Sequence, residues 1–236
     1  MSISVAVFAS GSGSNFQSLL DHQSPSSPGR IRLLISDRPG AGALERAEQA
    51  GVPGLVIPVM GRTSEEVAEE TLAAFREAEV RVVLLAGYLR LIPVHVIRAF
   101  PRRILNIHPA LLPSFGGKGM WGHHVHEAVL ASGASFSGPT IHFVDEEYDT
   151  GTILAQWPVP VLAGDTPEEL AARVLKVEHI LYPLAADHLC QAVADDLAPT
   201  RLSPPGEAFR IAPAFDASAV AEQISAAFSP TPRGTR

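Results

Sequence analysis

Cysteine is almost missing from this sequence of 236 residues: the single one, Cys190, excludes an intramolecular disulfide and suits a reducing compartment. Long hydrophobic runs are missing too, although 46% of the residues are hydrophobic, so the apolar content is expected to build a core and not a membrane span. The first residues lack the positive stretch that opens a secretory signal. Basic runs interleaved with aromatics are absent, and 18 basic against 25 acidic residues leave a net charge of -7, which speaks against a nucleic-acid groove. What remains is a soluble, cytoplasmic globular protein with a small-molecule partner and no membrane or nucleic-acid contact. It reads as a domain over residues 1–200 and a proline- and alanine-rich C-terminal extension over 201–236, in which 217–228 is weakly amphipathic.

The most informative stretch is residues 104–113, ILNIHPALLP, where an apolar strand carries two polar side chains and then stops. Strand side chains alternate, so Asn106 and His108 share one face while Leu105 and Ile107 point to the other. Pro109 lacks an amide hydrogen and holds His108 extended, so the ladder is expected to end there, with an amide and an imidazole at its carboxyl edge. Ligands bind at that edge in open parallel sheets.

Upstream, residues 3–9 form a strand apolar on both faces that runs into Gly11, Ser12, Gly13, Ser14 and Asn15 before a helix. Two glycines, two hydroxyls and free helix-start amides suit a phosphate. A dinucleotide fingerprint would need a third glycine where Phe16 stands; Asp37, after the next strand, is read as a turn residue in preference to a ribose ligand. Strand and helix then alternate: a helix over 43–50, a strand near 55–58, a helix opened by the Thr63/Glu66 capping box, and a buried strand over 80–86 ending at Gly87. The pattern predicts an α/β fold with a mainly parallel, twisted sheet and helices on both faces. Residues 114–122 form a glycine-rich loop before a helix at 123–131; His123, His124 and His126 there lack H-E-x-x-H spacing and a cysteine partner, so no metal is expected. A strand at 140–144 carries His142, an acidic loop at 145–151 follows, and a capping box at Thr166/Glu169 opens a helix in which Glu178 flanks the apolar stripe.

Taken in order, the GSGSN loop, the segment LAGYLR at 85–90, Asn106-Ile107-His108-Pro109, Leu111-Leu112-Pro113 and Asp149 with Gly151 resemble the folate-dependent phosphoribosylglycinamide formyltransferase family, over about residues 3–200. The resemblance implies a Rossmann-like formyltransferase fold, a 10-formyltetrahydrofolate co-substrate, no metal, and glycinamide ribonucleotide as the acceptor, in a monomer or homodimer. It implies a catalytic trio of Asn106, His108 and Asp149, a ribotide site of Gly11, Ser12, Gly13, Ser14, Asn15 and Glu178, and folate walls of Tyr88, Leu89, Arg90, Leu91, Ile92, Ile97, Asp145, Glu146, Glu147 and Tyr148. Arg62, slightly offset from a family arginine, and His142 are further candidates. A carboxylate at Asp149 is expected to raise His108 above the ordinary value of about 6.5. Other formyltransferases and a formyltetrahydrofolate hydrolase share the trio, and a nicotinamide oxidoreductase is the distant rival.

Overall fold

Along β1 (Ile3–Phe8), Ile3, Val5 and Val7 pack into one apolar cluster and Ala6 and Phe8 into another, so this strand is buried on both faces. The computed structural model describes residues 2–202, 222–224 and 226. The first cluster takes in α1 (Ser14–His22), α2 (Gly42–Gln49), α5 (His123–Ser132) and α6 (Pro167–Ala194); the second takes in α3 (Ser64–Glu77) and α4 (Val94–Ala99). Between them lies a seven-stranded sheet in the order β3-β2-β1-β4-β5-β7-β8. Its further strands are β2 (Gly29–Ser36), β3 (Gly54–Val56), β4 (Val82–Leu85), β5 (Ile104–His108), β7 (Thr140–Phe143) and β8 (Ile153–Gln156). β6 (Phe136–Ser137) and β9 (Val159–Pro160) form a separate two-stranded ribbon.

The first five strands in sequence are parallel, as the alternation predicts, whereas β7 and β8 run antiparallel to their neighbours. β1 lies between β2 and β4, so successive crossovers leave it in opposite directions and open a crevice beyond its carboxyl end. Both predicted capping boxes are present, Thr63 with Glu66 and Thr166 with Glu169, and the second helix carries proline in its first turn. Of the amphipathic stretch expected at 217–228, residues 222–224 and 226 are described; they are helical, and Ile224 joins Leu202 in the main core, while the rest lies outside the described residues. Among the described residues no helix is long and apolar enough to cross a membrane.

Tyr182 ties α6 to the sheet. Its buried hydroxyl donates to the carbonyls of Leu85, at the end of β4, at 2.9 Å, and of Leu105, within β5, at 3.2 Å. Tyr182→Phe removes that donor and is expected to cost about 1–2 kcal/mol. In a urea titration the midpoint should fall with the slope kept; an unchanged midpoint would show that the hydroxyl adds nothing.

Candidate active site

The antiparallel register of β5 and β7 sets Asn106 opposite His142 and His108 opposite Thr140. The consequence is a contact absent from the linear order: Asn106 Nδ2 lies 3.0 Å from His142 Nε2. His142 Nδ1 is 2.9 Å from the Phe143 carbonyl, which can only accept, so Nδ1 carries the proton of the neutral ring. Nε2 then presents its lone pair to the Asn106 amide, fixing which way that amide turns. Below His108, Thr140 Oγ1 donates to Ala110 O at 2.6 Å and accepts from Leu112 N at 3.0 Å, latching the turn after the strand.

Asp149 completes the group. It stands at φ 57, and the loop can lie against β7 because Gly151 has no side chain: a Cβ there would meet Phe143 O. Asp149 Oδ2 accepts from Gly117 N at 2.9 Å and lies 3.5 Å from His108 Nδ1, while Oδ1 lies 3.5 Å from both Asn106 Nδ2 and His142 Nε2. The shorter Asn106–His142 contact has the first claim on the Nε2 lone pair. Burial pushes the Asp149 carboxyl up, but His142 and His108 in their protonated forms and the Gly117 amide outweigh it, leaving the pKa below the ordinary carboxylate value.

His108 departs from expectation. Burial of the ring lowers its pKa more than the Asp149 charge and the Phe115 carbonyl raise it, so the net shift is downward and not upward. Its Nε2 donates to Phe115 O at 2.9 Å, because residues 115–117 fold over the ring. The neutral ring therefore turns its Nδ1 lone pair toward Asp149, an arrangement that a proton on Nδ1 would relieve.

Asn106, His108 and Asp149 border a cleft of about 670 Å³ that Asn15 and Glu178 also line. Asn15 Nδ2 donates to Glu178 Oε2 at 2.6 Å, and burial raises the Glu178 pKa. Of the glycine loop only Asn15 reaches this cleft; Ser14 lines an adjoining groove with Arg46 and His179, and Gly11 and Ser12 lie exposed at the loop tip. The first-turn amides of 14–16 have no partner within α1. Gly13 has φ 76 and packs against α2, where a Cβ would come within 2.8 Å of Ala43 Cα.

Tyr88, Arg90, Leu91 and Ile92 line a second, smaller slot of about 50 Å³ together with Asn106, His142, Asp145, Glu147, Tyr148 and Asp149. Leu89 lines the larger cleft, Ile97 packs in the second apolar cluster, and Glu146 pairs with Arg98 at 2.9 Å. Arg90 Nε donates to Asp37 Oδ2 at 3.0 Å, making Asp37 an ion-pair partner. Arg62 is not brought to either opening: it holds Glu70 at 2.6 Å and the carbonyls of Pro58 and Glu66 around the start of α3. One residue weighed only as a metal ligand belongs to the cleft instead. His126 is buried, lines the wall, has no partner for Nδ1, and is pushed down to about 4 by burial and the nearby His108.

Residues 3–186, which supply this crevice and its Asn/His/Asp group, match the family described as formyl transferase. The chain belongs to that family. It is 53% identical over 190 residues to the chloroplastic phosphoribosylglycinamide formyltransferase of Arabidopsis thaliana, covering 79% of this chain and 65% of the relative, so it spans just under two thirds of that protein. Among solved structures it is similar to glycinamide ribonucleotide transformylase 1 from Symbiobacterium toebii, with TM-score 0.76 at 38% identity, covering 89% of this chain and 94% of the other. The phosphoribosylglycinamide formyltransferase of Brucella melitensis superposes with TM-score 0.74 at 43% identity, over 80% and 96%.

Proposed function

We propose that the chain transfers a formyl group from 10-formyltetrahydrofolate to the amine of glycinamide ribonucleotide, a step of purine synthesis. The observation that carries this reading is the position of Asn106, His108, His142 and Asp149 where a roomy, largely apolar cleft that also carries Asn15 and Glu178 meets a narrow slot. One opening suits the ribotide and the other a flat heterocycle. We assign the pteridine to this slot, with Tyr88, Arg90, Leu91, Ile92, Asp145, Glu147 and Tyr148 among its walls.

In the reaction the amine nitrogen attacks the formyl carbon, the carbonyl π pair moves to oxygen, and the tetrahedral intermediate collapses by releasing N10 of the folate. The amine's proton ends on N10. Asn106 and protonated His108 donate to the oxyanion, and Asp149 favours the imidazolium and passes the proton. Both donors are engaged in the resting site: Asn106 with His142 and Asp149, His108 with Phe115 O. The 3.5 Å Asn106–Asp149 contact is the weaker and the one an oxyanion displaces first. Catalytic hydrogen bonds commonly tighten only when substrate is present.

The ribotide phosphate is assigned to Gly11, Ser12, Gly13, Ser14 and Asn15, and its ribose to Glu178. Gly11→Val tests the loop, because a Cβ at Gly11 meets open space, whereas any side chain at Gly13 would disturb α2 whether or not phosphate binds there. Gly11→Val is expected to raise the ribotide KM about tenfold or more, roughly 1.4 kcal/mol, with the folate KM kept. An unchanged ribotide KM removes the loop from the site. The buried free thiol of Cys190, raised to about 12 by burial, is unsuited to thiol chemistry. Formyl transfer from 10-formyltetrahydrofolate to the ribotide, run beside a water-only control, tests the assignment: release of formate at the same rate in both would make the chain a hydrolase.

A further inference from the structure

The three histidines at the start of α5 divide. His126 is buried in the cleft wall, whereas His123, at the cleft rim, and His124 stay exposed and meet Glu127, one turn along. Helix spacing explains the division: positions 123 and 127, and 124 and 127, are neighbours on one helix face. One ligand atom from each of His123, His124 and Glu127 lies within 4.8 Å of the others. Two of them already have the separation a metal requires: His124 Nδ1 is 3.3 Å from Glu127 Oε2. In a tetrahedral zinc site with bonds of about 2.0–2.1 Å, adjacent ligand atoms stand roughly 3.4 Å apart. The His123 and His124 rings have centroids 4.1 Å apart, so a small rotation about exposed side-chain torsions brings the third ligand in.

We propose that His123, His124 and Glu127 bind one divalent transition-metal ion of the zinc class at the rim of the cleft, with water completing the coordination. Two imidazoles and one carboxylate suit zinc, copper or nickel, whereas magnesium and calcium call for more oxygen ligands. The carboxylate also offsets the unfavourable field a cation meets at a helix start. The Trp121 ring lies 5.0 Å from the His124 ring, and Trp121 and His123 line the cleft, so the ion fixes the end of the 114–122 loop to α5. None of this depends on which reaction the cleft performs.

Cobalt(II) is the probe, titrated into the full-length protein without a histidine tag. Expected are visible ligand-field bands that saturate at one ion per chain, quenching of Trp121 fluorescence over the same range, and displacement of both signals by zinc. His124→Ala and Glu127→Gln change exposed side chains and should weaken binding by about tenfold or more, while His95→Ala, an exposed histidine on α4, leaves it unaltered. Trp121→Phe should abolish the quenching and keep the absorption. Absence of the bands, or equal affinity in His124→Ala and Glu127→Gln, overturns the site.

Discussion

Replacing Asn106 with alanine is expected to lower turnover by roughly a hundred- to a thousandfold, the usual scale for one lost oxyanion donor, without moving the pH profile. The amide carries no titratable proton, and its contribution is realised only as charge develops on the formyl oxygen, so ground-state binding changes little. The structure adds a second consequence. Asn106 occupies the His142 Nε2 lone pair at 3.0 Å, and without it that nitrogen faces Asp149 Oδ1 at 3.5 Å. His142→Ala should reproduce part of the loss, because Asn106 then keeps its donor but loses the partner that orients it. Saturating-substrate kinetics across pH, with ribotide binding measured separately, checks both. An Asn106→Ala enzyme with near-normal turnover would remove the amide from the oxyanion site.

The parts of this site visible in the sequence are those fixed by local rules. Strand alternation puts Asn106 and His108 on one face, Pro109 ends the strand, and two capping boxes mark helix starts. Other parts depend on long-range pairing. His142 lies beside Asn106 only because β7 returns antiparallel in one register, and hydrophobic pattern carries neither direction nor register. Asp149 is one of four acids in five positions; it is distinguished by its left-handed backbone and by the close passage of Gly151 over Phe143 O. Arg62 has the charge for a ligand but lies in the bend just before α3, where Glu70 of that helix holds it first. The downward His108 shift is not legible in the sequence, because burial of the ring depends on how residues 115–117 fold over it, which no local pattern states. The histidines at 123, 124 and 126 were weighed as a set, although helix geometry sends the last to the cleft and joins the first two to Glu127.

Asp149→Asn is the substitution that isolates charge from shape. Asparagine tolerates the φ of 57 and keeps an oxygen that accepts from Gly117 N at 2.9 Å, so the loop should hold its place. What disappears is the negative charge 3.5 Å from His108 Nδ1. Burial lowers the His108 pKa and Asp149 opposes it, so removing the carboxylate leaves burial less opposed and the pKa falls further. Because the charged imidazole is the active form, rate is lost as pH rises through that pKa, and the descending limb should move to lower pH. At neutral pH, turnover should drop by about a hundred- to ten-thousandfold, the range of a lost acid–base contribution. Stability carries the matching sign: His108 is depressed below its unfolded value, so the folded state loses stability as pH falls from about 6.5 toward the folded pKa, and the variant should lose more. Ribotide affinity should stay nearly intact, since Asn15 and Glu178 hold each other and the interactions lost with the carboxylate form mainly in the transition state. If Asp149→Asn keeps wild-type turnover at every pH, the acidic loop is a solvated turn and the chemistry rests on Asn106, His108 and His142 alone.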